Sequence, residues 1–318
     1  MPDTQAKPIV GVSSCLLGKQ VRFDGGHKHC RLITDSWSGY FEITSACPEA
    51  EMGLGVPRPS LQLRKTEQFN RLVFSKNPQH DLTQRMEQFS IQRIAKFGVL
   101  DGYIFKKDSP SCGLERVAVM DESTLQKTRN GMGVFARKFV ELNPLVPVED
   151  EGRLNDQALR ENFLERVYCH YRWRMITNAE TNLQGFVDFH LRHKFMLMAR
   201  NNLASRELGR LVATADKHNL VQIRQQYIQY FMKTMALCPT RGQHVNVLMH
   251  IMGYFKRSID SCDKHELLKW FDAYRSEQVT RITPVALIRH YLRLYPQRYI
   301  AAQHYLSPYP DELLQSPN

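Results

Sequence analysis

The sequence predicts an α/β N-terminal domain, with a largely parallel sheet in a three-layer arrangement, followed by an all-α C-terminal domain. Three observations lead there. From residue 8 to about 140, short β-prone runs alternate with segments of helical periodicity, the pattern of strands joined by crossover helices. Between Glu141 and Asp156 the run ELNPLVPVEDEGRLND gathers prolines, a glycine and acids, as linkers do. Beyond it, apolar residues recur at helical spacing as far as about residue 294. The boundary is placed near 150, giving domains 1–150 and 151–318.

The strands come first. Pro8-Ile9-Val10-Gly11-Val12, Phe41-Glu42-Ile43-Thr44 and Gly102 to Phe105 are short and rich in β-formers. Leu82, Met86, Phe89, Ile94 and Phe97 recur at helical spacing over 79–98, which predicts a crossover helix packed on the sheet. Gly131-Met132-Gly133 predicts a glycine-rich turn into another helix, with neither the P-loop nor the dinucleotide fingerprint. Asn155 is placed to cap a long helix, and further helices are predicted at 157–176, 183–200, 204–215, 218–236, 242–260, 263–275 and 279–294.

Composition narrows the class. With 42% apolar and 24% charged residues, the 318-residue chain can bury sizeable cores and is neither disordered nor fibrous. No apolar stretch reaches membrane-spanning length. The N-terminus has no basic start followed by an apolar segment, and seven cysteines is an odd number, so a reducing cytoplasm is expected, where cysteines serve metal binding or chemistry. The net charge of +11 points to an acidic partner, nucleic acid before membrane. It is uneven: 20 Lys and Arg stand against 17 Asp and Glu up to residue 150, and 23 against 15 after it.

Three cysteines each follow a predicted strand. Cys15 comes after Ser13-Ser14, Cys47 after Ser45-Ala46, and Cys112 sits in Lys106-Lys107-Asp108-Ser109-Pro110-Ser111-Cys112-Gly113. Ligands of open α/β sheets bind beyond the carboxyl ends of strands, so the three can converge, and converging thiolates suggest a metal. A single free cysteine is more often a small buried hydrophobe, which is the reading given to Cys169, Cys238 and Cys262. Cys112 reads as displayed, with Gly113 opening a helix whose N–H groups point at an anion.

Around the cysteines stand groups fit for catalysis or binding. Glu49 is placed either to accept a backbone amide or to act as a general acid/base. Arg22 and Asp24 either contact a substrate or pair with each other, and Arg58, between two prolines, suits an anion. In the helical half, Tyr168 to Arg174 and Phe189 to Lys194 mix aromatic and basic residues, which suits structured RNA, with Arg172, Arg174, Arg192 and Lys194 as candidate contacts. Such stripes are more often core beside a solvated face. His190 and His193 lack a carboxylate partner and are weak zinc ligands.

Five ordered blocks carry a resemblance. Val10 to Gly18, Val21 to Gly25, Cys47-Pro48-Glu49, Pro57-Arg58-Pro59 and Ser109 to Gly113 resemble the thiouracil desulfurase family over about 140 residues. The helical half, with Phe189-His190 through Arg200, Asn246 through Phe255 and the ending Tyr305 to Pro310, resembles the helical domain often fused behind it. The fusion looks like the bacterial desulfidase of 4-thiouridine in tRNA.

The resemblance implies a 4Fe-4S cluster held by Cys15, Cys47 and Cys112 with one open iron, Glu49 as acid/base, and Ser109 or Ser111 as the site's serine. It implies hydrolytic C–S cleavage, with 4-thiouridine in tRNA as substrate and free thiouracil bases as the alternative. A nucleic-acid-bound iron–sulfur redox sensor could use the same cysteines but gives no reason for Glu49 and the serines. ATP-driven thiolation lacks a phosphate loop, and radical S-adenosylmethionine chemistry wants closely spaced cysteines, whereas these lie 32 and 65 residues apart.

Overall fold

The computed structural model describes residues 6–66, 70–178 and 182–314. The chain divides into two compact units: one runs to Tyr171 and takes back the tail from Pro310, and the other spans Arg172–Tyr309. The first unit therefore extends past the proline-rich stretch near 150. The reason is local: Val148–Asp150 is a strand of its main sheet, not a linker.

That sheet has four parallel strands in the order β2-β1-β6-β9. They are β1 (Ile9–Ser13), β2 (Glu42–Ala46), β6 (Gly102–Phe105) and β9 (Val148–Asp150). Ser13 pairs with Ala46, and Val12 with Ile104, so β1, β2 and β6 run side by side and in step. Gly11 permits the close packing: a Cβ there would fall 2.3 Å from the Tyr103 ring. Tyr103 and Phe105 share one face, as residues two apart on a strand must, and meet Phe135 and Phe139 of helix α2 (Val134–Leu142). Helix α1 (Thr83–Phe97) adds Met86 and Ile94 to the same core.

A second, mixed sheet stands where the sequence reading has none. Its order is β5-β4-β3-β7-β8, from β3 (Leu61–Lys65), β4 (Asn70–Phe74), β5 (Asn77–Asp81), β7 (Val117–Asp121) and β8 (Lys127–Gly131). Because Asn77–Asp81 is a strand, α1 starts at Thr83 rather than 79, with its backbone N–H on Asp81 Oδ1 at 2.8 Å. The long helix α3 (Gln157–Asn178) is capped by Asp156, which accepts the Leu159 N–H at 3.0 Å. Asn155 instead lies in a short 3₁₀ turn and donates its side-chain amide to Gly152 O.

The second unit is helical throughout its described elements: α4 (Leu183–Arg200), α5 (Asn202–Ala213), α6 (Leu220–Met235), α7 (Arg241–Met252), α8 (Ser261–Arg275), α9 (Ile282–Leu294) and the single turn α10 (Arg298–Ala301). The segment predicted over 242–260 stops at Met252, where the chain tightens into a 3₁₀ turn at Gly253–Phe255. Trp173 packs edge-on against Phe186 and Phe189 and stacks on Tyr227, which stacks on Phe231. No helix among the described residues is long and apolar enough to cross a membrane.

Candidate functional site

Three adjacent parallel strands deliver three thiols. Cys15 lies in the 3₁₀ turn Ser14–Leu17 that follows β1, Cys47 directly follows β2, and Cys112 lies in the loop after β6. All three line one cavity of about 510 Å³ with Glu49, Arg58 and Ser109. Cys15 and Cys112 are buried, so Cys112 is not the displayed thiol expected from its turn. Its loop also opens no helix. Ser109 Oγ accepts the Ser111 and Cys112 N–H groups, and Ser109 O accepts that of Gly113, so those donors are already engaged.

The loop is clamped from the other side by α2. The N–H groups of Phe135 and Ala136, unpaired within the first turn of a helix, donate to Ser111 O, and that of Val134 to Pro110 O. Gly133 makes the approach possible: a Cβ there would lie 2.5 Å from the Ser111 carbonyl. The two glycines before α2 thus serve different ends: Gly133 allows a close backbone approach to the Cys112 loop, and Gly131, ending β8, lets Val119 pack within 2.5 Å of where its Cβ would be.

The thiols feel one another. Burial pushes the Cys15 thiol up to about 11, and Cys47 adds to the rise. Burial also raises Cys112 well above the ordinary thiol value, with Cys47, Glu49 and Cys15 contributing, while a hydrogen bond from Ser13 opposes the rise. Cys47 is raised too, mainly by burial. An all-thiol donor set of this kind suits iron–sulfur ligation. Among the described residues no three His, Cys, Asp or Glu converge on a single metal ion. Cys15, Cys47 and Cys112 share the cavity as an all-thiol set, the donor chemistry that an iron–sulfur cluster takes.

Glu49 is held from two sides. Arg58 Nε and Nη2 donate to Oε2 at 3.0 and 2.9 Å, and Ser111 Oγ donates to Oε1 at 2.8 Å. Arg58 is itself fixed, because Nη1 donates to Val21 O and Gly55 O, both at 3.0 Å. Its guanidinium orients Glu49 rather than reaching for an anion of its own. The two serines separate as well: buried Ser111 contacts the carboxylate, and Ser109 braces the turn.

The backbone-amide role considered for Glu49 belongs to Glu51. Its Oε1 accepts the Cys47 N–H at 2.7 Å, and its Oε2 accepts Arg93 Nε at 2.7 Å. Arg93 also donates to Ser45 O at 2.8 Å, so one side chain of α1 fastens the residues flanking Ala46 and Cys47. Helix α1 thus does more than cover the sheet. Its apolar spacing was visible in sequence, whereas a polar contact 42 positions away was not.

Arg22 and Asp24 pair with each other at 3.5 Å. The Gly26 N–H on Asp24, ahead of the Arg22 charge, holds that carboxyl below its ordinary range. Arg22 lines the cavity and Asp24 serves the turn. In the second unit, Arg172 donates to Pro308 O at 2.6 Å, Arg174 is half-buried, and Arg192 and Lys194 are exposed. The aromatic residues between them are largely core: Trp173 and Phe189 are buried, as is Tyr168 in the first unit, and none of the three is available to stack on bases. Cys169 is buried, but Cys238 and Cys262 are exposed rather than packed, one beyond the end of α6 and the other in the first turn of α8.

Comparison with known proteins follows this division. Residues 10–151 match the family model described as 2-thiouracil desulfurase, and residues 194–310 match one described as a protein of unknown function, DUF1722. An uncharacterised Escherichia coli K12 protein, YbgA, is 29% identical over 160 residues, covering 49% of this chain and 94% of its own length. A solved structure described as the [4Fe-4S]-dependent thiouracil desulfidase TudS is 27% identical, covering 47% of this chain and 94% of that one, with a TM-score of 0.36. The chain is a 2-thiouracil desulfurase family member over residues 10–151, fused to a DUF1722 domain over residues 194–310.

Proposed function

We propose that this chain is an iron–sulfur-dependent desulfidase that removes sulfur from thiolated uracil, with 4-thiouridine in tRNA as its substrate. The observation that carries the reading is the meeting of Cys15, Cys47, Cys112 and an oriented Glu49 in one cavity at the ends of adjacent parallel strands. Membership of the desulfurase family over residues 10–151 supports the same chemistry.

Cys15, Cys47 and Cys112 would hold a 4Fe-4S cluster by three thiolates, leaving one iron without a protein ligand. When bound, such a cluster supplies a Lewis acid suited to a soft thiocarbonyl sulfur. Glu49 takes a proton from the water that attacks the thiocarbonyl carbon, and it returns that proton to the departing sulfur. The net change is water in and hydrosulfide plus a proton out, with C=S replaced by C=O and no electron transferred. Arg58 and Ser111 fix which Glu49 oxygen faces the substrate, and the buried walls limit competing water. A base inside tRNA leaves its stack to enter the cavity.

The tRNA body would be gripped by the helical unit, whose half of the chain carries most of the net positive charge, with exposed Arg192 and Lys194 as contacts. A reducing cytoplasm suits the seven free cysteines. A redox sensor would have no use for the Arg58–Glu49–Ser111 arrangement. The test is anaerobic incubation of cluster-loaded protein with thiolated tRNA, 4-thiouridine and free thiouracil, assayed for sulfide and loss of the thiobase. Sulfide from none of them, at full iron occupancy, overturns the enzyme reading. Sulfide from the free base alone moves the substrate away from tRNA.

A further inference from the structure

We infer that Trp37 is a clamp on which both of the chain's crossings between its two units are anchored, and that Trp37 and Leu313 are positioning residues for the turn that carries Cys15. The role of that turn as a cluster ligand rests on the desulfidase reading; the clamp rests on residues with no part in that chemistry.

The chain leaves the first unit along α3 and re-enters it at Pro310. Trp37 meets both crossings. Its ring stacks on Phe163 of α3, with centroids 6.3 Å apart and planes 16° from parallel, and its indole N–H donates to Leu313 O at 3.0 Å across 276 positions. Phe41 packs edge-on against Trp37 and reaches Tyr168, further along α3. Trp37, Phe163 and Leu313 are fully buried, so the indole N–H has no water to turn to if that carbonyl is withdrawn. Phe163, Tyr168 and Leu313 lie outside both matched ranges, 10–151 and 194–310, so the desulfurase range supplies only one side of the clamp.

Trp37 ends a short π-helical stretch, Leu32–Trp37, and the residues before it are tied to the cysteine turn. The Lys28 N–H donates to Cys15 O at 2.9 Å and the Cys30 N–H to Leu16 O at 2.8 Å, while Cys30 O accepts the Ile33 N–H at 3.0 Å. On the other side, Trp37 O accepts the Tyr40 and Phe41 N–H groups at 2.9 and 3.2 Å, and the chain then enters β2, which ends just before Cys47. One clamped residue thus stands between the braces of the Cys15 turn and the strand that leads to Cys47. Outer supports of this kind fix the orientation of a ligand and how readily a metal group is lost.

Hydrogen exchange on the full chain before cluster loading, with iron release to a chelator from the loaded chain, tests this. Trp37→Phe keeps a ring for Phe163 and removes the donor to Leu313 O. Leu313→Ala keeps the carbonyl and empties a buried position, and Glu312→Ala, exposed in the same short turn, is the control. The expected result is that Trp37→Phe speeds both iron release and exchange of the Lys28 and Cys30 amides about fivefold, with exchange in β6 unchanged. Leu313→Ala should do at least as much, and Glu312→Ala should match wild type. Should Leu313→Ala fail to fold by circular dichroism, Trp37→Phe decides alone. Wild-type exchange at Lys28 and Cys30 in Trp37→Phe overturns the clamp, as does an equal rise in β6, which would make Trp37 an ordinary core residue. Faster exchange with unchanged iron release overturns the positioning role. If the wild-type chain takes up no iron, the desulfidase reading falls and amide exchange still decides the clamp. If it loads and releases sulfide from thiolated uracil while the amides of the variants exchange as in wild type, the clamp falls and that reading stands.

Discussion

The hydroxyl of Ser111 donates to Glu49 Oε1 at 2.8 Å across 62 positions of sequence, while Arg58 occupies the other carboxylate oxygen. One oxygen is thus tied to a neutral donor and the other to a buried cation. A carboxylate fixed this way can exchange a proton with a substrate without losing its orientation. Glu49→Gln keeps the shape and removes the base, and it is expected to lower kcat by about 10²- to 10⁴-fold. Iron and sulfide content should match wild type. Equal turnover at equal cluster content would remove Glu49 from the mechanism.

Ser111→Ala tests positioning rather than proton transfer. The carboxylate keeps its Arg58 contacts, so a smaller loss is expected, about tenfold in kcat, with KM nearly unchanged. Arg58→Lys should cost more than Ser111→Ala, because a single ammonium cannot serve Glu49, Val21 O and Gly55 O together. The ranking of kcat values across the two variants is the measurement.

Six of the seven cysteines divide into two groups with different expected behaviour. Cys15→Ser, Cys47→Ser and Cys112→Ser should each abolish or sharply reduce iron binding and the visible absorbance of the loaded protein. Cys238→Ser and Cys262→Ser, at exposed positions in the helical unit, should retain both. Cys30 is the informative control: its N–H donates to Leu16 O at 2.8 Å, beside Cys15, yet it does not line the cavity. Cys30→Ser should therefore load normally, and a loss of iron there would mean that the ligand set has been misassigned.

The second tether to test is the Glu51–Arg93 pair. Glu51 holds the Cys47 N–H, and Arg93 links it to Ser45 O and lies over the Phe97 ring at 4.1 Å. The pair is partly exposed, so its loss should cost only about 1 kcal/mol of stability. Its larger effect should be on the Cys47 turn. Arg93→Ala is expected to release iron to a chelator several times faster than wild type with a melting temperature only a few degrees lower. Unchanged iron release would reduce this contact to a surface ion pair.

How much of this was legible in the sequence depends on the range of the interaction. The strands before Cys15, Cys47 and Cys112 were visible because β-prone runs and turn residues are local signals, and their parallel pairing put the thiols at one edge. The mixed sheet was not visible: β3 alternates Leu61 and Leu63 with Gln62 and Arg64 over only five residues, and β8 is charged and polar until Gly131. The roles of Arg58, Glu51 and Ser111 were hidden for a different reason. Each depends on a partner in another loop, and residue type alone does not say whether an arginine between two prolines binds a ligand or steadies a carboxylate. The aromatic and basic mixture of the helical half left two readings open in sequence, and helical spacing turns Trp173 and Phe189 inward while leaving Arg192 and Lys194 outside.

The last prediction sets the two units against each other in acid. In the helical unit, burial holds His190 down to about 4, and burial with Arg172 and Arg192 holds His304 down to about 3. Burial keeps His193 well below the ordinary value too, with the His304 ring 4.6 Å away adding to the effect. Unfolded histidines take up protons near pH 6.5 and these do not, so their contribution is complete above about pH 6.5 and is lost as pH falls. For His190 alone that is on the order of 3 kcal/mol by pH 4. Asp150, in the first unit, has the opposite sign: burial, aided by Glu151 and Glu149 and opposed by the Leu114 N–H, raises it to about 6. Its contribution is complete below the unfolded carboxyl value and is lost as pH rises through about 6, so acidification relieves a strain in that unit. Hydrogen exchange on the full chain at pH 7.5 and pH 5 should therefore show protection falling in α4 and α6 more than in β1 and β6, beyond the intrinsic effect of pH. Asp150→Asn, which keeps an oxygen for the Leu114 N–H, should raise the stability of the first unit at pH 7.5 and flatten its pH dependence. Equal loss of protection in both units, or no gain from Asp150→Asn, would mean that these buried groups do not set the acid response.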